Sequence, residues 1–425
     1  MEKAKGCPDC EPSRRGLLAS AGKAALIALA APLVLPKFAF ASGSGGGSQD
    51  VLVNIFLRGA MDGLTLCPPY GDPDYYKARP TLAVPRPGTG ANEAIDLDGY
   101  FGLAPGAKGL LKPFQDGKLA LVHASGSPDP TRSHFDAMAY VEYGIPLQNF
   151  NTVSDGWLGR HLQNTTALGG GPLRGLTVDY VTPTSFFGAP QVIAASDPAS
   201  FLYPGDPRSA GRRRHKLEQM YGKVGEPMAG AAINAFAAID LLAQIDFAHY
   251  VPENGASYPP TIFGQGLLKI AACIKANLGL ESFTLDIGGF DTHADQGPVD
   301  GHLNDLLLEL CNSLEAFYLD LQSQMDHVVV VAMSEFGRRV AENASKGTDH
   351  GHGNCMVVMG GHIAGGQVLT HKWPGLAPPK LDDGDLAITI DYRDIFGEIL
   401  VNRLCEPSLD TVFPNFTPKF RGITK

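Results

Sequence analysis

Residues 328–362 read VVVVAMSEFGRRVAENASKGTDHGHGNCMVVMGGH. The first six, 328–333, form an unbroken apolar run, the pattern of a parallel strand buried on both faces. Ser334, Glu335, Phe336, Gly337 and Arg338 follow at once, so polar groups stand at the carboxyl end of the strand, the edge where open α/β sheets bind ligands. Gly347, Thr348, Asp349, His350, Gly351, His352 and Gly353 come next, ahead of a second apolar run over 356–359. Two strands therefore frame a loop that carries a carboxylate, two imidazoles and little bulk. Such side chains are ligands for a divalent metal, and the glycines let backbone and ion approach closely. A Gly-rich turn with exposed histidines is the plainer alternative for this segment taken alone.

The same arrangement recurs on moving outward. Residues 283–287 are strand-like and run into Gly288, Gly289, Phe290, Asp291, Thr292 and His293, which puts a hard carboxylate and an imidazole on one turn. Apolar residues at 303, 306, 307, 310, 314, 317, 318 and 321 then define one face of a helix that leads into the 328–333 run. Strand, helix, strand in that order predicts a βαβ crossover, so Asp291 and Glu335 should emerge on one edge of a parallel sheet. Residues 51–57, VLVNIFL, are another strand-like run, followed by Arg58, Gly59, Ala60, Met61, Asp62 and Gly63; an Asp beside Gly is also an ordinary turn. Asp62, Asp291, His293, Glu335, Asp349, His350 and His352 thus come from separate segments, each next to a strand. Together they predict a site for one or two divalent metal ions, with Zn, Mn, Mg and Ca all compatible with the ligand types.

Residues 119–122 are strand-like and lead into HASGSPDPTRSHFDAMAY over 123–140. Pro128 and Pro130 exclude helix there, while 135–143 is helix-compatible, which places Thr131 or Ser133 at a helix amino terminus. A hydroxyl at that point gains from unpaired N–H groups and the positive end of the helix dipole, which favour an attacking oxyanion and a bound anionic ester. Simple N-capping is the competing role. Arg132 can grip a phosphoryl or sulfuryl oxygen in bidentate fashion, and His134 either supplies a further imidazole or packs.

The 425 residues are 44% hydrophobic and 18% charged, enough apolar material for a large α/β core. The expectation is one domain over 51–425 with long insertions. The 51 Gly and 32 Pro point to shaped loops, such as a surface excursion over 68–100. Trp157, at the start of a helix-like segment, reads as a packing residue. Residues 212–216, RRRHK, read as a solvated helix face, and 229–250 and 266–278 as helices.

Residues 1–41 carry Arg14 and Arg15, an Ala-rich apolar stretch over 24–35, and small residues ending at Ala41, the pattern of a twin-arginine export signal. The apolar stretch is too short to span a bilayer comfortably, so no stable membrane span is expected after cleavage. Residues 42–50 read as a flexible tether. Periplasmic or secreted location and contact with the twin-arginine machinery follow. Without the first 41 residues the chain has 28 Lys and Arg against 41 Asp and Glu, a net charge of −13 that excludes nucleic acid as a partner. Cys67, Cys273, Cys311, Cys355 and Cys405 remain, too scattered for a disulfide framework.

The signal together with RGAMDGL, TRSHFDA, GWLGR, GGFDTH, SEFGR, GTDHG and HIAGGQV resembles the domain-of-unknown-function family 1501 over nearly all of the mature chain. That family is placed in the alkaline phosphatase and sulfatase superfamily. The resemblance implies a mostly parallel central sheet with helices on both faces, divalent ions at its carboxyl edge, and a Ser or Thr nucleophile at a helix start. Asp62 then matches a first-strand metal ligand, Asp291 and His293 a ligand pair, and His350 or His352 the last imidazole. Two departures stand out. Glu335-Phe336 replaces an Asp-His pair, so one nitrogen ligand must come from elsewhere, and no Cys lies in the nucleophile region, which argues against formylglycine chemistry. The expected function is an exported metal-dependent hydrolase of a small-molecule or polymer-borne phosphate or sulfate ester. The alternative is a non-catalytic exported surface or carbohydrate-associated protein that keeps the fold.

Overall fold

Alternate residues of the first strand face two different cores. Val51, Val53, Ile55 and Leu57 of β1 (Val51–Leu57) pack with Phe263, Leu267, Leu307 and Phe317, whereas Leu52 and Phe56 pack with Trp157, Ile395, Phe396 and Phe413. A strand covered on both faces has no polar side to present, which is why this run is apolar apart from Asn54 rather than alternating. Each large side chain so buried contributes about 1.5–3 kcal/mol relative to exposure. The computed structural model describes residues 50–146, 153–166, 171–203, 205–226 and 228–425. The export signal and all of the tether except Asp50 lie outside them. Asp50 accepts hydrogen bonds from Arg403 Nε (2.8 Å) and His327 Nδ1 (3.0 Å).

The strands are β1, β2 (Ile95–Asp96), β3 (Gly102–Leu103), β4 (Leu119–Gly126), β5 (Gly175–Thr177), β6 (Val192–Ala194), β7 (Ser282–Ile287), β8 (Val328–Met333), β9 (Asn354–Gly360), β10 (Gln367–Leu369) and β11 (Ile390–Asp391). Apart from the small β2–β3 ribbon they form one nine-stranded sheet in the order β10-β4-β9-β8-β1-β7-β5-β6, with β11 beside β4. Pairings are parallel except those of β9 with β4 and β8. The expected mostly parallel α/β sheet with helices on both faces is therefore what the chain forms.

The helices that matter for the site are α1 (Gly63–Leu66), α2 (His134–Tyr143), α3 (Trp157–Asn164), α4 (Ala210–Tyr221), α5 (Met228–Leu242), α6 (Ile262–Ala276), α7 (His302–Asp320) and α8 (Tyr392–Leu404). Helices α6 and α7 cover one face of the sheet, α3 and α8 the other. The β7-α7-β8 crossover brings both of its strands against β1, so the exits of β7, β1 and β8 lie side by side.

Residues 203–236 cluster as a unit of their own, in which Tyr203 and Tyr221 pack on Phe236. Helix α4 has no buried residue, and Arg214 pairs with Glu218 at 2.9 Å, as a solvated basic face should. The run Met228–His249 has a mean hydropathy of 1.5, high enough for a membrane span. Regular α-helix ends at Leu242, however, and its 15 residues extend about 22 Å, short of a hydrocarbon core of about 30 Å. The 68–100 excursion is not all surface: Asp72, Tyr75 and Arg79 are buried, because Arg79 is drawn inward to a buried carboxylate.

Candidate metal centre

Three strand exits are tied together by one guanidinium. Arg338, after β8, is buried and donates from Nε to Ala60 O (2.7 Å), from Nη1 to Thr348 O (2.9 Å), and from Nη2 to Gly59 O (2.7 Å), Phe290 O (2.9 Å) and Asp291 Oδ1 (2.8 Å). The planar fork of Arg suits this convergence of acceptors, which a single ammonium cannot match. Gly59 sits at φ 110°, and a Cβ there would lie 2.8 Å from Asp291 N, so only glycine lets the β1 and β7 exits touch.

Three imidazoles approach Asp291, each with its Nδ1 already engaged. His134 Nδ1 donates to Glu335 Oε1 at 2.6 Å, His350 Nδ1 to Arg132 O at 2.8 Å, and His293 Nδ1 to Asp349 Oδ1 at 3.3 Å. Glu335 Oε1 also accepts Gly59 N (3.0 Å) and Ala60 N (3.1 Å), and Asn343 Nδ2 donates to Asp349 Oδ1 (3.0 Å). A proton held at Nδ1 leaves the Nε2 lone pair free, the tautomer that binds metal. The three Nε2 atoms converge on Asp291 Oδ1, at 3.1 Å from His293, 3.2 Å from His350 and 3.5 Å from His134. His293 Nε2 and His350 Nε2 are 2.9 Å apart, and His134 Nε2 is buried without a hydrogen-bond partner. Lone pairs this close to one another and to a carboxylate oxygen need a cation among them.

The electrostatics agree. Burial would push the Asp291 carboxyl up, but the facing His134, His293 and His350 imidazoles and the Arg338 guanidinium hold it well below the usual carboxylate range. Burial would lower His134, yet the facing Asp291 and Glu335 carboxylates raise it to about 9, and the neighbouring Asp291 raises His293. Protons thus stand where a metal ion fits. Three nitrogens and one carboxylate oxygen match the donor set of zinc and related divalent ions. Among the described residues His134, Asp291 and His350 form a group whose donor atoms lie within 4.8 Å of one another.

Of the residues singled out in the sequence, Asp291, His293 and His350 meet at this point, and Glu335 and Asp349 support them from behind. His134, left between ligand and packing, joins them. Phe336, where the resembled superfamily has an imidazole, stacks on His134 with ring centroids 5.0 Å apart. Asp62 is elsewhere: it is buried and taken up by Arg79 Nη1 (2.5 Å) and Nη2 (3.0 Å), Thr65 Oγ1 (2.7 Å) and Gln296 Nε2 (2.8 Å). Burial opposes its charge, but Arg79 prevails and lowers its pKa. His352 also stands apart, its Nε2 donating to Pro130 O (3.1 Å) and its Nδ1 3.3 Å from Asp385 Oδ2, which binds Arg132 Nη2 at 2.7 Å. Ser133 is the N-cap of α2 and accepts Asp136 N at 3.5 Å; Thr131 Oγ1 accepts Ser133 N at 3.2 Å. Among the described residues Ser133 Oγ has no hydrogen bond to Asp62, Asp291 or Glu335. Sequence reading placed Arg338 at the strand's end without giving it a role and missed Arg79 and Gln296; a buried polar partner gives no periodic signal.

A second group, Cys67, His123 and Cys355, is buried. His123 Nε2 lies 3.0 Å from Cys67 O and its Nδ1 accepts Ala124 N at 2.8 Å, so the ring has no lone pair to give. Burial pushes His123 down to about 4 and the Cys67 thiol up. This group is closed to metal.

A family model described as "Protein of unknown function (DUF1501)" matches residues 120–393. No curated protein sequence matches the chain. Among solved structures, the PsFucS1 sulfatase from Pseudoalteromonas sp. is similar at 11% identity, with 98% of this chain and 78% of that chain covered and a TM-score of 0.39. The C-terminal periplasmic domain of EcEptC from Escherichia coli is similar at 11% identity over 92% of this chain and 94% of that chain, with a TM-score of 0.37. A protein in the alkaline phosphatase superfamily from Vibrio parahaemolyticus is similar at 10% identity over 76% and 63%, with a TM-score of 0.31.

Proposed function

Given that the chain belongs to the DUF1501 family, we propose that it is an exported metal-dependent hydrolase of a phosphate or sulfate ester. The supporting observation is the convergence of His134, His293 and His350 Nε2 on Asp291 Oδ1, each imidazole fixed by an acceptor at Nδ1. These four residues would hold one divalent ion, which when bound supplies a Lewis acid for an ester oxygen. Asp62 would not take part, because Arg79 and Gln296 already neutralise and occupy it.

The chain's own groups account for the rest. Ser133 directly precedes His134 and stands at the amino end of a ten-residue helix, where N–H groups favour an anion. Its bond from Asp136 N is at the outer limit of length, so leaving the capping position costs little. Ser133 is therefore the nucleophile we favour, with Thr131 next: its Oγ would bond the phosphoryl or sulfuryl centre, the alcohol would leave, and water would restore the serine. Arg132 holds His350 through its carbonyl. For its guanidinium to grip the ester as well, it must release Asp385. We also propose that residues 51–425 are one domain with insertions, that residues 1–41 direct twin-arginine export, and that the partner is a small-molecule or polymer-borne anionic ester.

One feature favours a non-catalytic exported protein with the same fold: Ser133 and Arg132 both have structural partners. Mature protein assayed for metal and then offered phosphate mono- and diesters and sulfate esters separates the two. Turnover lost by orders of magnitude in Ser133→Ala, with folding and metal content unchanged, supports the hydrolase. No turnover by metal-loaded protein on the whole panel supports the alternative.

A further inference from the structure

A cavity of about 310 Å³ opens at the carboxyl ends of β1, β5 and β7, lined by none of the residues of the candidate metal centre and outside the chemistry proposed for it. Helix α2 links the two: His134 begins it and Glu142, eight residues on and about 12 Å along the axis, lines the cavity. Three carboxylates, Glu142, Asp179 and Asp286, and one guanidinium, Arg58, line it. Arg58 Nε donates to Asp286 Oδ2 (2.7 Å) and Nη2 to Glu142 Oε1 (2.5 Å), while Glu142 Oε2 accepts Thr184 N (2.9 Å). Asp179 Oδ1 accepts Tyr180 N at 2.5 Å. Among the described residues no hydrogen bond reaches Asp286 Oδ1 or Asp179 Oδ2. One arginine cannot balance three carboxylates, so the cavity keeps an excess of negative charge and of acceptors. Burial and the neighbouring Glu142 and Asp179 accordingly push Asp286 up to about 6 despite Arg58. Val181, Pro183 and Phe187 supply an apolar flank to the same space.

We propose that this cavity binds an organic cation, an alkylammonium group whose charge pairs with Asp286 and Asp179 and whose methylenes lie on the Val181, Pro183 and Phe187 flank. An anion would meet like charge there, and a neutral chain would leave the carboxylates unpaired. The site does not depend on ester hydrolysis, and its test needs no turnover. Hexanediamine, hexanediol and adipate have the same chain length and different charge. Titrated calorimetrically into the full mature protein at low salt, with and without chelator, hexanediamine should bind and the other two should not. Binding should weaken at least about tenfold in Asp179→Asn, whose carboxylate makes no ion pair among the described residues, and again in Asp286→Asn. Metal content should stay at the wild-type level in both. Hexanediol binding as well as the diamine, or diamine affinity unchanged in Asp179→Asn, would overturn the proposal. The metal centre reading would survive either result.

Discussion

Glu335 and Asp62 are both buried carboxylates at the end of a strand, and their partners give them opposite tasks. Glu335 receives two backbone N–H groups and the His134 Nδ1 proton, so it orients the His134 ring. Asp62 receives Arg79 in a two-pronged pair and so anchors a loop. We therefore expect His134→Ala to abolish tight metal binding and Glu335→Gln to weaken it about 10- to 100-fold, the usual range for an outer partner of a metal-binding imidazole, by chelator competition. Asp62→Asn should leave metal affinity intact but lower stability by about 3–5 kcal/mol in urea, since it strands the buried Arg79 charge; wild-type stability with lost metal would reverse these roles. A pH dependence follows from the same residues. In metal-free protein His134 is raised from 6.5 to about 9, so its contribution to stability is fully present below about pH 6.5 and is lost as pH rises towards 9. Asp291 is depressed below 3.8, so its contribution is present above that value and lost on further acidification. Urea midpoints of metal-free protein should thus fall between pH 6.5 and 9. Metal binding should release protons, seen as a buffer-dependent enthalpy, and a loaded protein should lack that alkaline fall.

Among elements, the amino end of α2 and the exit of β8 carry the site. Ser133 caps α2 only through a 3.5 Å bond. Ser133→Ala should therefore lower stability by about 0.5–1 kcal/mol, which cannot account for a loss of turnover by orders of magnitude. Arg338 closes the β1, β7 and β8 exits onto one another through four carbonyls and Asp291. Arg338→Lys should destabilise by about 2–4 kcal/mol, because several buried carbonyls lose their donors, and should reduce metal affinity as Asp291 loosens. Equal thermal and metal-binding behaviour of that variant would mean the exits are held by the sheet alone.

For the whole molecule, one centre built from one strand-edge cluster predicts one metal ion per mature chain by elemental analysis. Two per chain would mean that Asp62, His352 or both are drawn into a second site. Lysine in place of both Arg14 and Arg15 should leave precursor in the cytoplasm; undiminished export would remove the twin-arginine assignment. What sequence alone determined was the sheet and its edge: strand-like runs at 51–57, 283–287 and 328–333, followed by Arg58, Asp291 and Glu335, admit few arrangements other than parallel strands with polar groups at their carboxyl ends. The same pattern named Asp291, His293 and His350 as neighbours, because a βαβ crossover brings consecutive strand exits to one side. Tertiary structure alone decided which carboxylates meet the imidazoles and which meets an arginine. Asp62 and Glu335 are both buried carboxylates that follow a strand, and the arrival of Arg79 at one and His134 at the other tells them apart. Those partners come from an excursion and from a helix start whose local sequence signals loop and cap. A side chain's ionic partner is fixed by where distant segments pack, and that distance in space leaves no periodic trace in the chain.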